Sequence, residues 1–172
     1  MDYQEPKSWR PITLLSFLLK GLERLILWEL QEKMGNKLIF HNQHAYTCLR
    51  GTETAISEVL NYVEANSLVG KKQHCIATFM DVSGAFDNAP YNHIIDGMIE
   101  AEAPIEFTRF YKNYLNNRRT TIRFGSCQKT KRLTVGVGQG SNLSSVAWNF
   151  YLNRLLISCN NGTHIVTGYA DD

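Results

Sequence analysis

Apolar residues recur at three- and four-residue spacing in five stretches, and each predicts a helix with one buried face. From about Ser16 to Met34, the positions are Phe17, Leu18, Leu22, Leu25, Ile26 and Leu30, with Ser16 as the cap and Gly35 as the stop. From about Thr52 to Leu68, Ala55, Ile56, Val59, Leu60 and Val63 point inward, and Gly70-Lys71-Lys72 ends the run. Pro90 suits the first turn of a helix to about Ala101 that buries Ile94, Ile95, Met98 and Ile99. Pro104 opens another, with Phe107, Phe110, Tyr111, Tyr114 and Leu115 on its apolar side. The glycine-dense loop Gly136-Val137-Gly138-Gln139-Gly140 leads into the fifth, from about Ser141 to Ser158, with Leu143, Val146, Ala147, Phe150, Tyr151 and Leu155 as its stripe.

Other stretches carry the strand signature. The run Ile76-Ala77-Thr78-Phe79-Met80 predicts a buried strand over about His74 to Val82, and His164 to Ala170 predicts another. Thr120 to Phe124 and Cys127 to Val135 flank Gly125-Ser126 and read as a hairpin, with Ile122 and Phe124 on one face and Thr121 and Arg123 on the other. Asn160-Asn161-Gly162 is a turn. Residues 1–13 are expected to be extended, since Pro6 and Pro11 disfavour helix before them. Residues 36–51 read as irregular. The order is helix, helix, strand, helix, helix, hairpin, helix, strand, without repeat or linker, which is an α+β layer fold.

Composition narrows the function classes. At 172 residues the chain is one domain's length, with 44% hydrophobic and 20% charged residues. A net charge of +2 neither demands nor excludes a nucleic-acid partner. Cys48, Cys75, Cys127 and Cys159 lack zinc-site spacing and read as reduced intracellular thiols. The N-terminus shows no signal-peptide pattern, and Lys20, Glu23, Arg24 and Glu29 interrupt the longest apolar stretch, so no membrane span is expected.

Acids stand at the ends of both strand-like runs: Asp81 after the first, Asp171 and Asp172 after the second, with Asp87 nearby. Each alone reads as a turn former, a helix cap or a solvated tail. If the two strands pair in one sheet, three carboxylates converge at one edge. They repel unless a divalent cation lies between them, and oxygen-only ligands suit Mg²⁺ or Mn²⁺. Two such ions roughly 3.5–4 Å apart form the clamp used for in-line phosphoryl transfer.

Longer matches join these residues into a known pattern. Ser8-Trp9-Arg10-Pro11-Ile12-Thr13-Leu14-Leu15-Ser16, Gln43-His44-Ala45-Tyr46, Gly51 to Ala55, Phe79 to Asp87, Gly136 to Ser144 and Tyr169-Ala170-Asp171-Asp172 follow one another in order. The chain resembles the reverse transcriptase domain of non-LTR (LINE-type) retrotransposons along nearly its whole length. The resemblance implies a right-hand polymerase fingers–palm fragment, with a small antiparallel palm sheet backed by helices and the thumb absent. Residues 1–73 would be fingers-like and 74–172 palm-like, with the 104–135 helix and hairpin inserted.

The same resemblance implies roles. Asp81, Asp171 and Asp172 would be catalytic. Asp81, Asp171 and the Val82 carbonyl would ligate two Mg²⁺ or Mn²⁺ ions. Phe86 would lie under the incoming sugar and reject a 2′-hydroxyl; its alternative is core packing. Gln139 and Gly140 would line the nascent pair, and a side chain at Gly140 would intrude. Ser83, Gly84 and Ala85 are small enough for backbone N–H groups to approach a triphosphate. Arg10 and Arg50 would contact template or phosphate, with a solvated surface arginine as the alternative for both. The partners implied are an RNA template, a DNA primer and deoxynucleoside triphosphates.

Some positions depart from the family pattern. Gly138 and Ser145 stand where prolines are usual, Asn142 replaces an aliphatic residue, and Cys48 and Leu49 replace a basic residue and a glycine. Glycine for proline loosens a loop by about 0.4–1 kcal/mol where the proline fitted. In the family a return strand and a thumb follow the final motif, so little processive activity is expected from this stretch alone. The function expected is RNA-directed DNA polymerisation; the alternatives are an inactive retrotransposon remnant that binds nucleic acid weakly, and a phosphohydrolase, which fits the acids but not the Gln139 loop.

Overall fold

The structure, a computed structural model, describes residues 12–38, 40, 42–67, 74–160 and 164–171. Six α-helices, a 3-10 turn of helix at Gly35–Leu38 in the stretch expected to be irregular, and a hairpin appear among the described residues: α1 (Phe17–Met34), α2 (Thr52–Ser67), α3 (Ala85–Asn88), α4 (Tyr91–Glu100), α5 (Ile105–Asn116), β1 (Arg119–Phe124), β2 (Cys127–Arg132) and α6 (Asn142–Cys159). Local signals set the ends of α1. The Ser16 hydroxyl accepts the Leu19 N–H at 3.2 Å, and Gly35 closes the helix at φ +50°.

The core forms around α6. Leu143, Ala147, Trp148, Phe150, Leu152 and Leu156 are buried, which spreads burial around most of the helix rather than along one stripe. Helices α1 and α4 pack against it, and α5 packs against α4. The crossing of α4 and α6 is close at Gly97, where an added Cβ would lie 2.3 Å from the Phe150 carbonyl oxygen. Ile94 and Met98 of α4 and Tyr111 and Leu115 of α5 complete the core. Several expected inward positions differ: Phe17, Leu18, Leu22 and Leu25 of α1, Ile99 of α4 and Leu155 of α6 face solvent. In α2, Ala55 is buried while Ile56 and Leu60 are exposed, so most of that helix's apolar face has no cover among the described residues.

The β structure corrects the expectation most. The expected strand at 74–82 is not one: residues 74–82 are irregular, and Ile76 and Phe79 are each about nine-tenths exposed. An apolar run becomes a buried strand only if both faces find neighbours, and Ile76, Phe79 and Met80 have little cover among the described residues. The end of the chain pairs elsewhere, through a parallel bridge between Gln43 and Gly168. The sheet that forms is the two-stranded hairpin, with Arg119 opposite Arg132 and Phe124 opposite Cys127. Helices do not back it, since nearly every hairpin residue is exposed, including Ile122 and Phe124. The architecture is therefore mixed helix with a small antiparallel sheet, and the sheet lies outside the expected palm. The Asn160-Asn161-Gly162 turn falls partly outside the described residues, as do residues 1–11.

Candidate active site

The segment bearing Asp171 is held by several independent contacts. His44 N–H donates to the Gly168 carbonyl at 2.9 Å, and Gly168 N–H donates to Asn42 at 2.7 Å. The fully buried Gln43 grips the next residue but one. Its Oε1 accepts the Ala170 N–H at 3.2 Å, and its Nε2 donates to the Ala170 carbonyl at 3.2 Å. The Trp148 indole N–H donates to that same carbonyl at 2.7 Å. Ala170 sits at φ +60°, a conformation that costs a non-glycine residue energy and persists where its surroundings impose it. The buried His44 ring ties this anchor to α2 through Thr54 at 2.7 Å and Glu58 at 2.6 Å.

The segment bearing Asp81 meets that turn at one point. Val82 N–H donates to the Asp171 carbonyl at 2.9 Å. The chain then turns through Ser83 and Gly84, and the Val82 carbonyl accepts the Ala85 N–H at 3.2 Å as α3 begins. Asp81, Ser83 and Gly84 are exposed and Ala85 is buried. Phe86 is half-buried. It stacks on Trp148 with centroids 5.3 Å apart and meets Tyr46 edge-on at 6.2 Å. Core packing thus accounts for one side of the Phe86 ring. Burial, and then the negative charges of Asp171 and Tyr169, push the Tyr46 hydroxyl above its usual pKa.

The glycine loop closes a third side. Val137 N–H donates to the Phe86 carbonyl at 2.6 Å, Gly136 N–H to Ala89 at 2.9 Å, and Arg118 Nη1 to the Gly136 carbonyl at 2.6 Å. These bonds hold the loop at Gly136 and Val137, just before Gly138. Gln139 accepts the Thr13 N–H through its carbonyl at 2.8 Å, and its side-chain nitrogen lies 3.4 Å from both Asp87 carboxylate oxygens. Gly140 has φ +104°, and a Cβ there would come within 3.1 Å of the Thr13 carbonyl. Its glycine is thus required by backbone and neighbour, before any base pair is considered.

The buried Glu23 of α1 supports this loop from beneath. Its carboxylate accepts from the Ser141 hydroxyl at 2.8 Å, from the Asn142 N–H at 2.8 Å and from the Tyr114 hydroxyl at 3.3 Å. A carboxylate at the first turn of α6 satisfies N–H groups that have no partner within the helix. Asn142 donates its side-chain amide to the Lys20 carbonyl at 3.3 Å and joins this contact. The sequence signalled neither Glu23 nor Gln43 as a site residue. Glu23 read as a charge interrupting an apolar run; it stood in the segment Leu19 to Leu25, which also resembles the family, and Gln43 in Gln43-His44-Ala45-Tyr46, neither with a role.

The remaining expected residues divide as follows. Arg10 and Asp172 lie outside the described residues. Arg50 is half-buried and donates to the Phe40 carbonyl at 3.1 Å. It lines an open groove with His44, Glu53, Thr54 and Glu58, whose acids oppose a phosphate there. Among the described residues, no three His, Cys, Asp or Glu side chains gather as a metal cluster. Asp81 and Asp171 form no ion pair among the described residues, and their segments adjoin. Their hard oxygen donors suit Mg²⁺ or Mn²⁺.

Residues 2–172 match the family described as reverse transcriptase (RNA-dependent DNA polymerase). The chain belongs to that family. It is 30% identical over 179 residues to the probable RNA-directed DNA polymerase from transposon BS of Drosophila melanogaster, covering 98% of this chain and 19% of the relative. It is 29% identical over 168 residues to the retrovirus-related Pol polyprotein from type-1 retrotransposable element R1 of Bradysia coprophila, covering 98% and 16%. With the probable RNA-directed DNA polymerase from transposon X-element of Drosophila melanogaster it shares 31% over 151 residues, covering 86% and 16%. The chain thus spans less than a fifth of the length of these relatives. The family read from the motifs is borne out.

Proposed function

We propose that this chain carries the nucleotidyl-transfer site of an RNA-directed DNA polymerase, with Asp81, Asp171 and Asp172 as its carboxylates. The observation that carries the reading is the Val82 N–H to Asp171 carbonyl bond at 2.9 Å, which brings the two acid-bearing segments side by side. Bound between these carboxylates, two Mg²⁺ or Mn²⁺ ions would lower the pKa of the primer 3′-hydroxyl and neutralise the leaving pyrophosphate. Asp81 and Asp171 supply the anionic oxygens, with the Val82 carbonyl as a further donor. The backbone of Ser83, Gly84 and Ala85 borders the triphosphate. Phe86, braced by Trp148, presents its free side to the sugar and excludes a 2′-hydroxyl. Gln139 and Gly140 flank the nascent pair. An RNA template, a DNA primer and deoxynucleoside triphosphates are the substrates.

On this reading residues 1–73 are fingers-like and 74–172 palm-like, with the thumb supplied by other sequence and the site of action intracellular. No described helix is long and apolar enough to cross a membrane. The exposure of Ile76 and Phe79 favours a second reading, a folded remnant that binds nucleic acid weakly without catalysis. Primer extension on poly(rA)·oligo(dT) with Mg²⁺ or Mn²⁺ separates the two. The polymerase reading predicts short extension products that vanish in Asp81→Ala. Template binding without any extension supports the remnant, and extension that survives Asp81→Ala removes the catalytic assignment.

A further inference from the structure

Charge is distributed very unevenly along this chain. Residues 107–170 contain nine of its 18 lysines and arginines and none of its 16 acids. Six of those cations crowd into residues 118–132: Arg118, Arg119, Arg123, Lys129, Lys131 and Arg132. The hairpin displays five of them from a ribbon exposed on both faces. Arg119 and Arg132 stand directly opposite each other, a like-charge pairing that destabilises an isolated sheet. Among the described residues, no hairpin cation forms an ion pair; Arg132 donates to the Asn116 carbonyl at 2.8 and 3.1 Å, and Arg123 to Gln128 at 3.0 Å. A bare two-stranded ribbon is marginal in water, and one carrying unneutralised cations gains from a polyanion.

We propose that the β1–β2 hairpin is a phosphate-binding ribbon that holds a nucleic-acid backbone outside the Asp81–Asp171 site. Its base is fixed to that site. Leu133 N–H donates to the Arg118 carbonyl at 3.1 Å, Arg118 holds Gly136, and β2 continues through residues 133–138 into the Gln139 loop. Six residues of extended strand reach about 20 Å, the span of about six phosphates along one strand at 3.4 Å each. Lys129 and Lys131 share a face with Ile122 and Phe124, which register places opposite Lys129 and Cys127. That face offers apolar surface beside cations, which suits an unpaired base and its phosphate. The charge pattern carries no base-reading element, so the ribbon grips backbone without regard to sequence.

The inference rests on nucleic acid being the substrate class, but not on catalysis. The test is fluorescence anisotropy of the full chain with a labelled single-stranded RNA, the matching DNA and their hybrid, from about 50 to about 200 mM salt. Arg119→Gln, Arg123→Gln, Lys129→Gln and Lys131→Gln are combined in one variant. A control combines Lys20→Gln, Lys33→Gln, Lys37→Gln and Lys112→Gln, exposed positions outside the hairpin. The hairpin variant is expected to lose at least about tenfold in affinity at the lowest salt and about three units of the log–log salt slope; the control keeps both. Lys129→Glu alone, at an exposed position, should weaken binding without altering the circular dichroism spectrum. Equal losses in both combined variants, an unchanged slope in the hairpin variant, or no binding by the parent chain would overturn the proposal. The three probes show whether the ribbon prefers RNA, DNA or duplex. Asp81→Ala, which removes extension on the polymerase reading, leaves the salt slope intact and so keeps the two readings apart.

Discussion

The two acid-bearing segments look alike in sequence and differ sharply in the fold. Each is a short apolar run ending in aspartate. The run ending at Asp171 is pinned by Gln43, His44, Trp148 and Asn42, which fix backbone groups from Val166 to Ala170. The run ending at Asp81 is exposed among the described residues and is tied at Val82. The lesson is that rigidity at this site comes from distant residues that supply hydrogen bonds, not from the apolar character of the run. One acid-bearing segment is held along its backbone, and the other meets it through the Val82 N–H.

Breaking the rigid side should cost most. Trp148→Ala removes a fully buried indole that supports both Phe86 and Ala170, and should destabilise the chain by about 3–5 kcal/mol in urea unfolding. A loss below about 1 kcal/mol would mean that the turn does not depend on this ring. Gln43→Ala leaves the part-buried Ala170 N–H without its Gln43 acceptor, while the carbonyl keeps Trp148, and should cost about 1–3 kcal/mol. Amide hydrogen exchange should then accelerate across residues 168–171 while α4 stays protected. The exposed side should barely respond. Phe79→Ser is expected to change stability by less than about 0.5 kcal/mol, because its ring is already in solvent. A change above 1 kcal/mol would show that the strip packs as firmly as the turn and would erase the contrast.

What could be read from sequence followed the range of the interactions. Helix α1 was legible because Ser16 and Gly35 act within one turn of its ends. Helix α5 was legible because Phe107, Tyr111 and Leu115 repeat at four-residue spacing on one buried face. The hairpin turn was legible from Gly125-Ser126, although its exposure was not, since burial depends on what lies above each face. The strand expected at 74–82 failed for the same reason. The family was legible through the order along the chain of the motifs that carry Asp81, the Gln139 loop and Asp171. Gln43 and Glu23 were not: their partners lie 127 and 118 residues away, and no local pattern marks such a pairing.

The central claim is that Asp81 and Asp171 act as one divalent-cation site. Mn²⁺ titration followed by paramagnetic broadening of backbone amide signals tests it most directly. The account predicts that the Val82 and Asp171 amides broaden together at the same Mn²⁺ concentration, and that Asp81→Ala weakens both effects. Broadening at one segment alone, or broadening at Asp171 that is unchanged in Asp81→Ala, would contradict it.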